Sequence, residues 1–117
     1  MNTQKLGQKG EKFTIKYLKS IGYLPVYKNY RCAFGEIDII AETKTFIAFV
    51  EVKTRTAGQM LPPASYVDKK KQKRIITSAH NYMSKYKIKK QPRFDIAEVI
   101  VNEKGKLSIN YLENAFA

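Results

Sequence analysis

Ten carboxylates stand among 117 residues that also carry 22 Lys+Arg, so the positions of the minority charge are informative. Four of them are Glu11, Glu36, Asp38 and Glu51. Glu36 and Asp38 lie two apart in Glu36-Ile-Asp-Ile-Ile-Ala-Glu42, and Glu51 lies two before Lys53 in Phe49-Val-Glu-Val-Lys53. In extended chain, residues i and i+2 share a face, so each pair points one way. The hairpin register decides whether the pairs meet. Asp38 opposite Phe49 or Glu51 brings them together, whereas Asp38 opposite Val50 separates them. The first arrangement is the expected one, with Ile40, Ile47 and Phe49 on the same face. Carboxylates gathered at the end of an apolar surface repel one another and lose hydration, which a bound cation relieves. Hard oxygen donors on a partly open site suit Mg²⁺ or Mn²⁺ better than zinc. Asp38, Glu51 and the backbone carbonyl of Val52 could supply the ligands, and Lys53 would stand beside them to orient the attacking water. The chemistry this implies is metal-assisted phosphodiester hydrolysis.

Glu-x-Lys alone is too common to carry that reading, since an exposed strand alternating charge with Val explains it. The weight comes from the combination of an acidic strand, a short break and Val-Glu-Val-Lys inside an apolar strand. Periodicity gives the elements that must position these residues. A helix is expected from about Lys5 to Ser20, stopped by Gly22, and an edge strand over Tyr23 to Tyr30, where Pro25 prevents a full ladder. Strands follow over Glu36 to Glu42 and Thr45 to Lys53, close enough to form an antiparallel hairpin at the sheet centre. Thr54 to Val67, with Gly58, Pro62 and Pro63, is a long connection of the functional or mobile kind. Asp68 caps a second helix expected to bury Ile75, Ile76, Ala79, Tyr82, Met83 and Tyr86. Phe94 to Val101 and Leu107 to Leu112 are strands, which completes an α/β chain of order α-β-β-β-α-β-β. Without repeats or a dividing linker, residues 1–117 are expected to form one domain.

The charge balance, 22 − 10 = +12, creates a positive field whose natural partner is nucleic acid. Hydrophobic residues at 44% exclude a disordered basic tail. The longest apolar run, Phe46 to Val50, is far short of the roughly 18 residues a membrane span needs, so no membrane partner is expected. One cysteine, Cys32, and an amino terminus lacking an apolar signal core point to a cytoplasmic protein.

The motifs G-Q-K-G-E (7–11), G-E-I-D-I-I-A (35–41), F-V-E-V-K-T-R (49–55) and R-F-D (93–95) resemble the small bacterial proteins of the YraN or UPF0102 family. Through them the chain resembles Holliday junction resolvases of the PD-(D/E)xK nuclease superfamily. That resemblance implies a restriction-endonuclease-like fold with a central mixed sheet flanked by helices, and cleavage of DNA, including branched DNA. It implies Asp38 and Glu51 as metal-binding carboxylates, Lys53 as the catalytic lysine, and Glu11 as the helix carboxylate assisting at the metal. The role of Glu36 is less defined. Resolvases act as two-fold dimers, so a homodimer is a further expectation. Superfamily members that kept the fold and lost cleavage supply the rival, a non-cleaving nucleic-acid or protein binding module.

Five cations, Lys69, Lys70, Lys71, Lys73 and Arg74, open the second helix against its dipole. Either they form a solvated face, or Lys69, Lys70, Lys73 and Arg74 grip phosphates around the scissile one. Arg55 is the best single candidate for a phosphate contact near the chemistry if its strand persists that far. Asp95, opening a strand beside Arg93, either braces the site or terminates the sheet, the structural role being the expected one, and His80 and Cys32 lack catalytic partners. The eight tyrosines are mostly core or surface aromatics.

Overall fold

A computed structural model describes residues 2–58 and 67–117. Helix α1 (Thr3–Ser20) begins where Asn2 Oδ1 accepts the Lys5 amide at 2.8 Å. Strands β1 (Leu24–Cys32), β2 (Gly35–Glu42) and β3 (Phe46–Thr56) follow, then α2 (Lys69–Lys85), β4 (Gln91–Val101) and β5 (Leu107–Leu112). The chain is therefore α/β in the expected element order. Its five strands lie in the order β1-β2-β3-β4-β5, antiparallel except for the β3–β4 pair, which is parallel. The sheet is mixed because α2 carries the chain back across it between β3 and β4, as a parallel pair requires.

A helix covers each face of the sheet. On one side Leu18 of α1 packs with Ile39, Ala41, Ala48, Val50 and Ala97; on the other, Ile75, Ala79 and Tyr82 of α2 meet Ile40, Ile47, Phe49, Phe94 and Ile96. The central strand β3 is buried on both sides, and this is why it runs apolar without alternation from Phe46 to Val50. β3 also continues to Thr56, three residues past the expected end at Lys53, because β4 pairs with it through Thr56↔Val101. Tyr86, expected in the core, lies past the end of α2 and is exposed. The expected long connection falls largely on residues 59–66, outside the described residues. Among the described residues no helix is long and apolar enough to cross a membrane.

The ladders on the two sides of β2 differ. The ladder between β2 and β3 runs from Glu42↔Ile47 to Ile39↔Val50 and stops there. On the other side of β2, the register with β1 shifts between Pro25 and Tyr27 and then holds from Tyr27↔Ile40 to Cys32↔Gly35, with Asn29 between the pairs Lys28↔Ile39 and Tyr30↔Ile37. Asn29 adopts φ 53°, a left-handed conformation that asparagine tolerates better than most residues. Ile37 and Ile40, three apart, both reach the α2-side core, while Ile39 reaches the α1-side core, so the strand alternation breaks at Asp38.

Candidate functional site

Continuing the β2–β3 register past Ile39↔Val50 sets Asp38 opposite Glu51, the arrangement that brings the acidic pairs together. Where the backbone ladder ends, the Asp38 carboxylate takes over. Its Oδ2 accepts the Val52 amide at 2.8 Å. Burial, followed by the field of Glu51 and a hydrogen bond shared with it, pushes the Asp38 pKa up to about 8. The two carboxyl groups are thus in hydrogen-bonding contact, and burial beside Glu51 favours the neutral form of Asp38.

Glu11 approaches from α1. Its helix comes unusually close to β3 because residue 10 is glycine: a Cβ there would lie 1.7 Å from Thr54 Oγ1. The Thr14 hydroxyl, fully buried, is satisfied by the Gly10 carbonyl at 2.8 Å, so this polar residue sits in the helix–sheet contact without an orphaned group. Burial raises the Glu11 pKa, and the fields of Glu36 and Glu51 add to it, against an Asn29 hydrogen bond and Lys28. Glu11, Glu36, Asp38 and Glu51 therefore occupy one electrostatic neighbourhood, assembled from α1, β2 and β3.

The donor set fits a hard divalent ion in a limited way. Among the described residues no group of three or more His, Cys, Asp or Glu side chains converges closely enough to hold a metal, but Asp38 and Glu51 present oxygen atoms in contact. Two carboxylates and a carbonyl suit Mg²⁺, which keeps several waters. At present the charge of Glu51 is met by Lys71, whose ammonium lies on Glu51 Oε2. Burial opposes the lysine's charge, yet the Glu51 hydrogen bond, backed by Asp38 and Glu36, holds its pKa above the ordinary value. Lys71 was part of the expected lysine run but not singled out from it. The signal was available: Lys71 is four residues before Ile75 and eight before Ala79, the buried face of α2.

The remaining cations divide. Lys53 is exposed two residues beyond Glu51, and Lys69, Lys70, Lys73 and Arg74 are exposed around the start of α2. Asp68 Oδ1 accepts the Lys71 amide at 2.8 Å and caps that helix as expected. Arg55 corrects an expectation. β3 does persist to its position, yet Arg55 is only 7% exposed, with Nη2 at 2.7 Å and Nε at 2.8 Å from Glu98 Oε2. A buried guanidinium closed onto a buried carboxylate is a structural pair and not a surface phosphate contact. Glu98 follows Phe94 and Ile96 at strand spacing, a pattern that marks it as inward-facing.

Asp95 is wholly buried on β4, where the parallel register sets it opposite Val50 of β3. It accepts bonds from Arg93 Nε and Nη2 at 2.9 and 2.7 Å, the Tyr111 hydroxyl at 2.6 Å and the Asn114 amide at 2.9 Å. So many donors to one carboxylate tie β4 to the chain after β5. His80 is exposed on α2. The thiol of Cys32 packs under the β1–β2 turn; burial raises its pKa, but hydrogen bonds with Ser78 and the Phe34 and Gly35 backbone outweigh that and lower it.

Comparison with known proteins places this arrangement in a family. Residues 10–99 match the model of "Uncharacterised protein family UPF0102", a span that holds Glu11, Asp38, Glu51, Lys53 and Glu98. A UPF0102 protein of Caldanaerobacter subterraneus subsp. tengcongensis is 44% identical over 99% of this chain and 98% of its own length. A UPF0102 protein of Dictyoglomus turgidum is 42% identical over 99% of this chain and 100% of its own. One from Clostridium botulinum strain Kyoto is 41% identical over 95% of this chain and 93% of its own. With the family model covering most of the chain and these relatives aligned over nearly its full length, the chain belongs to the UPF0102 family.

Proposed function

We propose that this protein is a Mg²⁺- or Mn²⁺-dependent endonuclease of the restriction-endonuclease-like kind, hydrolysing phosphodiesters of DNA, branched DNA included. The observation that carries this reading is the contact between the Asp38 and Glu51 carboxyls where the β2–β3 ladder ends. Asp38, Glu51 and the Val52 carbonyl would hold the ion, which supplies Lewis acidity toward a phosphate oxygen and lowers the pKa of bound water. The chain's own groups do the rest. Asp38 fixes the β3 backbone through the Val52 amide, and so sets the direction of the next side chain, Lys53. The exposed Lys53 side chain would orient a water and stabilise charge developing on the phosphate. Glu11 adds a third negative field from α1. Exposed Lys69, Lys70, Lys73 and Arg74 hold flanking phosphates, with affinity that depends steeply on salt.

The ammonium of Lys71 on Glu51 favours a second reading, a nucleic-acid binding module in which lysine has taken the place of a metal. Duplex, flap, single-stranded and four-way junction DNAs incubated with Mg²⁺ or Mn²⁺ separate the two. Cleavage by the wild type that is lost in Asp38→Ala and in Lys53→Ala supports the nuclease. Cleavage surviving both substitutions belongs to a contaminant, and binding without cleavage on every substrate identifies the module.

A further inference from the structure

The β1–β2 turn projects from the same end of the sheet as Asp38 and Glu51, and at its tip Phe34 is 51% exposed. The turn rests against α2: Gly35 has φ 149°, a backbone conformation that favours glycine, and its Cα faces Ser78 and Arg74, which a Cβ there would meet at 3.4 Å (Oγ) and 3.5 Å (Cβ), in ordinary contact. Beside it a cavity of about 540 Å³ is lined by Arg31, Phe34, Glu36 and Arg74, among others. A second cavity, of about 390 Å³, shares Gly35, Glu36 and Arg74 as a wall and continues to Lys70 and Lys71.

An exposed aromatic ring lining the same cavity as two arginines offers a base a face to stack on and its phosphates a counter-charge. Within a duplex every interior base is covered on both faces and only the terminal pair keeps one free, so the ligand best able to use all three groups along a strand is an unpaired nucleotide. Arg31 is free to turn toward a phosphate at small cost, because its pairing with Glu36 at 3.2 Å is exposed on both sides. We propose that the Phe34 turn receives an unpaired nucleotide of DNA, with the base stacked on Phe34 and the flanking phosphates held by Arg31 and Arg74. The strand then passes along the second cavity toward Lys71 and Glu51. This inference rests on the nucleic-acid reading above and specifies the substrate feature that the site selects.

The test compares a flush duplex with the same duplex carrying an unpaired flap, labelled with 2-aminopurine in the flap and titrated by anisotropy in EDTA. The wild type is expected to bind the flap DNA about fivefold or more tightly than the duplex, with quenching of the 2-aminopurine. Phe34→Ala should equalise the two affinities and abolish quenching, and Phe34→Trp should restore both. Arg31→Ala and Arg74→Ala should weaken binding and flatten its salt dependence. Since Phe34 is exposed, a thermal melt matching the wild type confirms that its variants fold. A flap preference that survives Phe34→Ala, or flap DNA bound without quenching, overturns the inference. Cleavage in Mg²⁺ is scored separately. If Asp38-dependent cleavage persists while the Phe34 series fails, only the unpaired-nucleotide site falls; if no DNA is cut but the Phe34-dependent preference remains, only the nuclease reading falls.

Discussion

Burial and the Glu51 carboxyl raise the pKa of Asp38 to about 8, whereas an aspartate in the unfolded chain titrates near about 4. Between those values the folded state holds a proton that the unfolded state has lost, so the metal-free protein loses stability as pH rises across that window. Thermal melts in EDTA should fall from about pH 5 to about pH 8, and Asp38→Asn should remove most of that slope. The opposite outcome, a steeper slope in the variant, would mean that the acidic pair is not the strained element. Arg55 and Glu98 behave differently. Arg55→Ala strands a buried carboxylate and should cost about 3–5 kcal/mol in urea unfolding, without altering the salt dependence of DNA binding. Asp38 and Glu51 were legible in the sequence because a two-residue period and one register place both. Arg55 was not legible as a core residue, since its partner is 43 positions along the chain on a strand whose parallel alignment no local pattern specifies. Lys71 and Glu98 did carry a signal, the buried face of their own element, which the charged character of each residue obscured.

The elements bring Glu11 to the site through one close approach. Gly10→Ala gains about 1 kcal/mol of helix propensity, but its Cβ would lie 1.7 Å from Thr54 Oγ1, and overpacking of this kind costs about 1–3 kcal/mol. The clash should win, lowering stability and moving Glu11 outward. In a Thr54→Ala background the same substitution should be less costly, and a double-mutant cycle in urea measures the difference. Helix α2 makes a separate prediction. If Lys69, Lys70 and Lys73 each neutralise a phosphate, replacing all three with alanine should reduce the slope of log K against log salt by about 0.9 per contact on duplex DNA. Element order and the sheet-centre hairpin were readable from periodicity. The end of β3 was not, because Thr54-Arg-Thr56 is polar in sequence and extended only because β4 runs beside it.

Over the whole molecule, +12 is a field that attracts DNA and repels divalent cations, while the acidic cluster is the local exception to it. Under the proposed function the two ligands must be coupled. A DNA phosphate entering the site cancels part of the positive field and contributes an oxygen ligand, so it should raise metal affinity, and by reciprocity the metal should raise DNA affinity by the same factor. Mn²⁺ titrations followed by electron paramagnetic resonance test this with phosphorothioate-blocked DNA, which resists cutting. Weak Mn²⁺ binding to the protein alone should tighten by about fivefold or more when the DNA is present, and Asp38→Ala should abolish the gain. Raising monovalent salt should narrow the difference, because screening weakens both the repulsion of the ion and the attraction of the DNA. Equal Mn²⁺ affinity with and without DNA would separate the basic surface from the acidic centre. The excess positive charge would then serve binding alone, as the module reading requires.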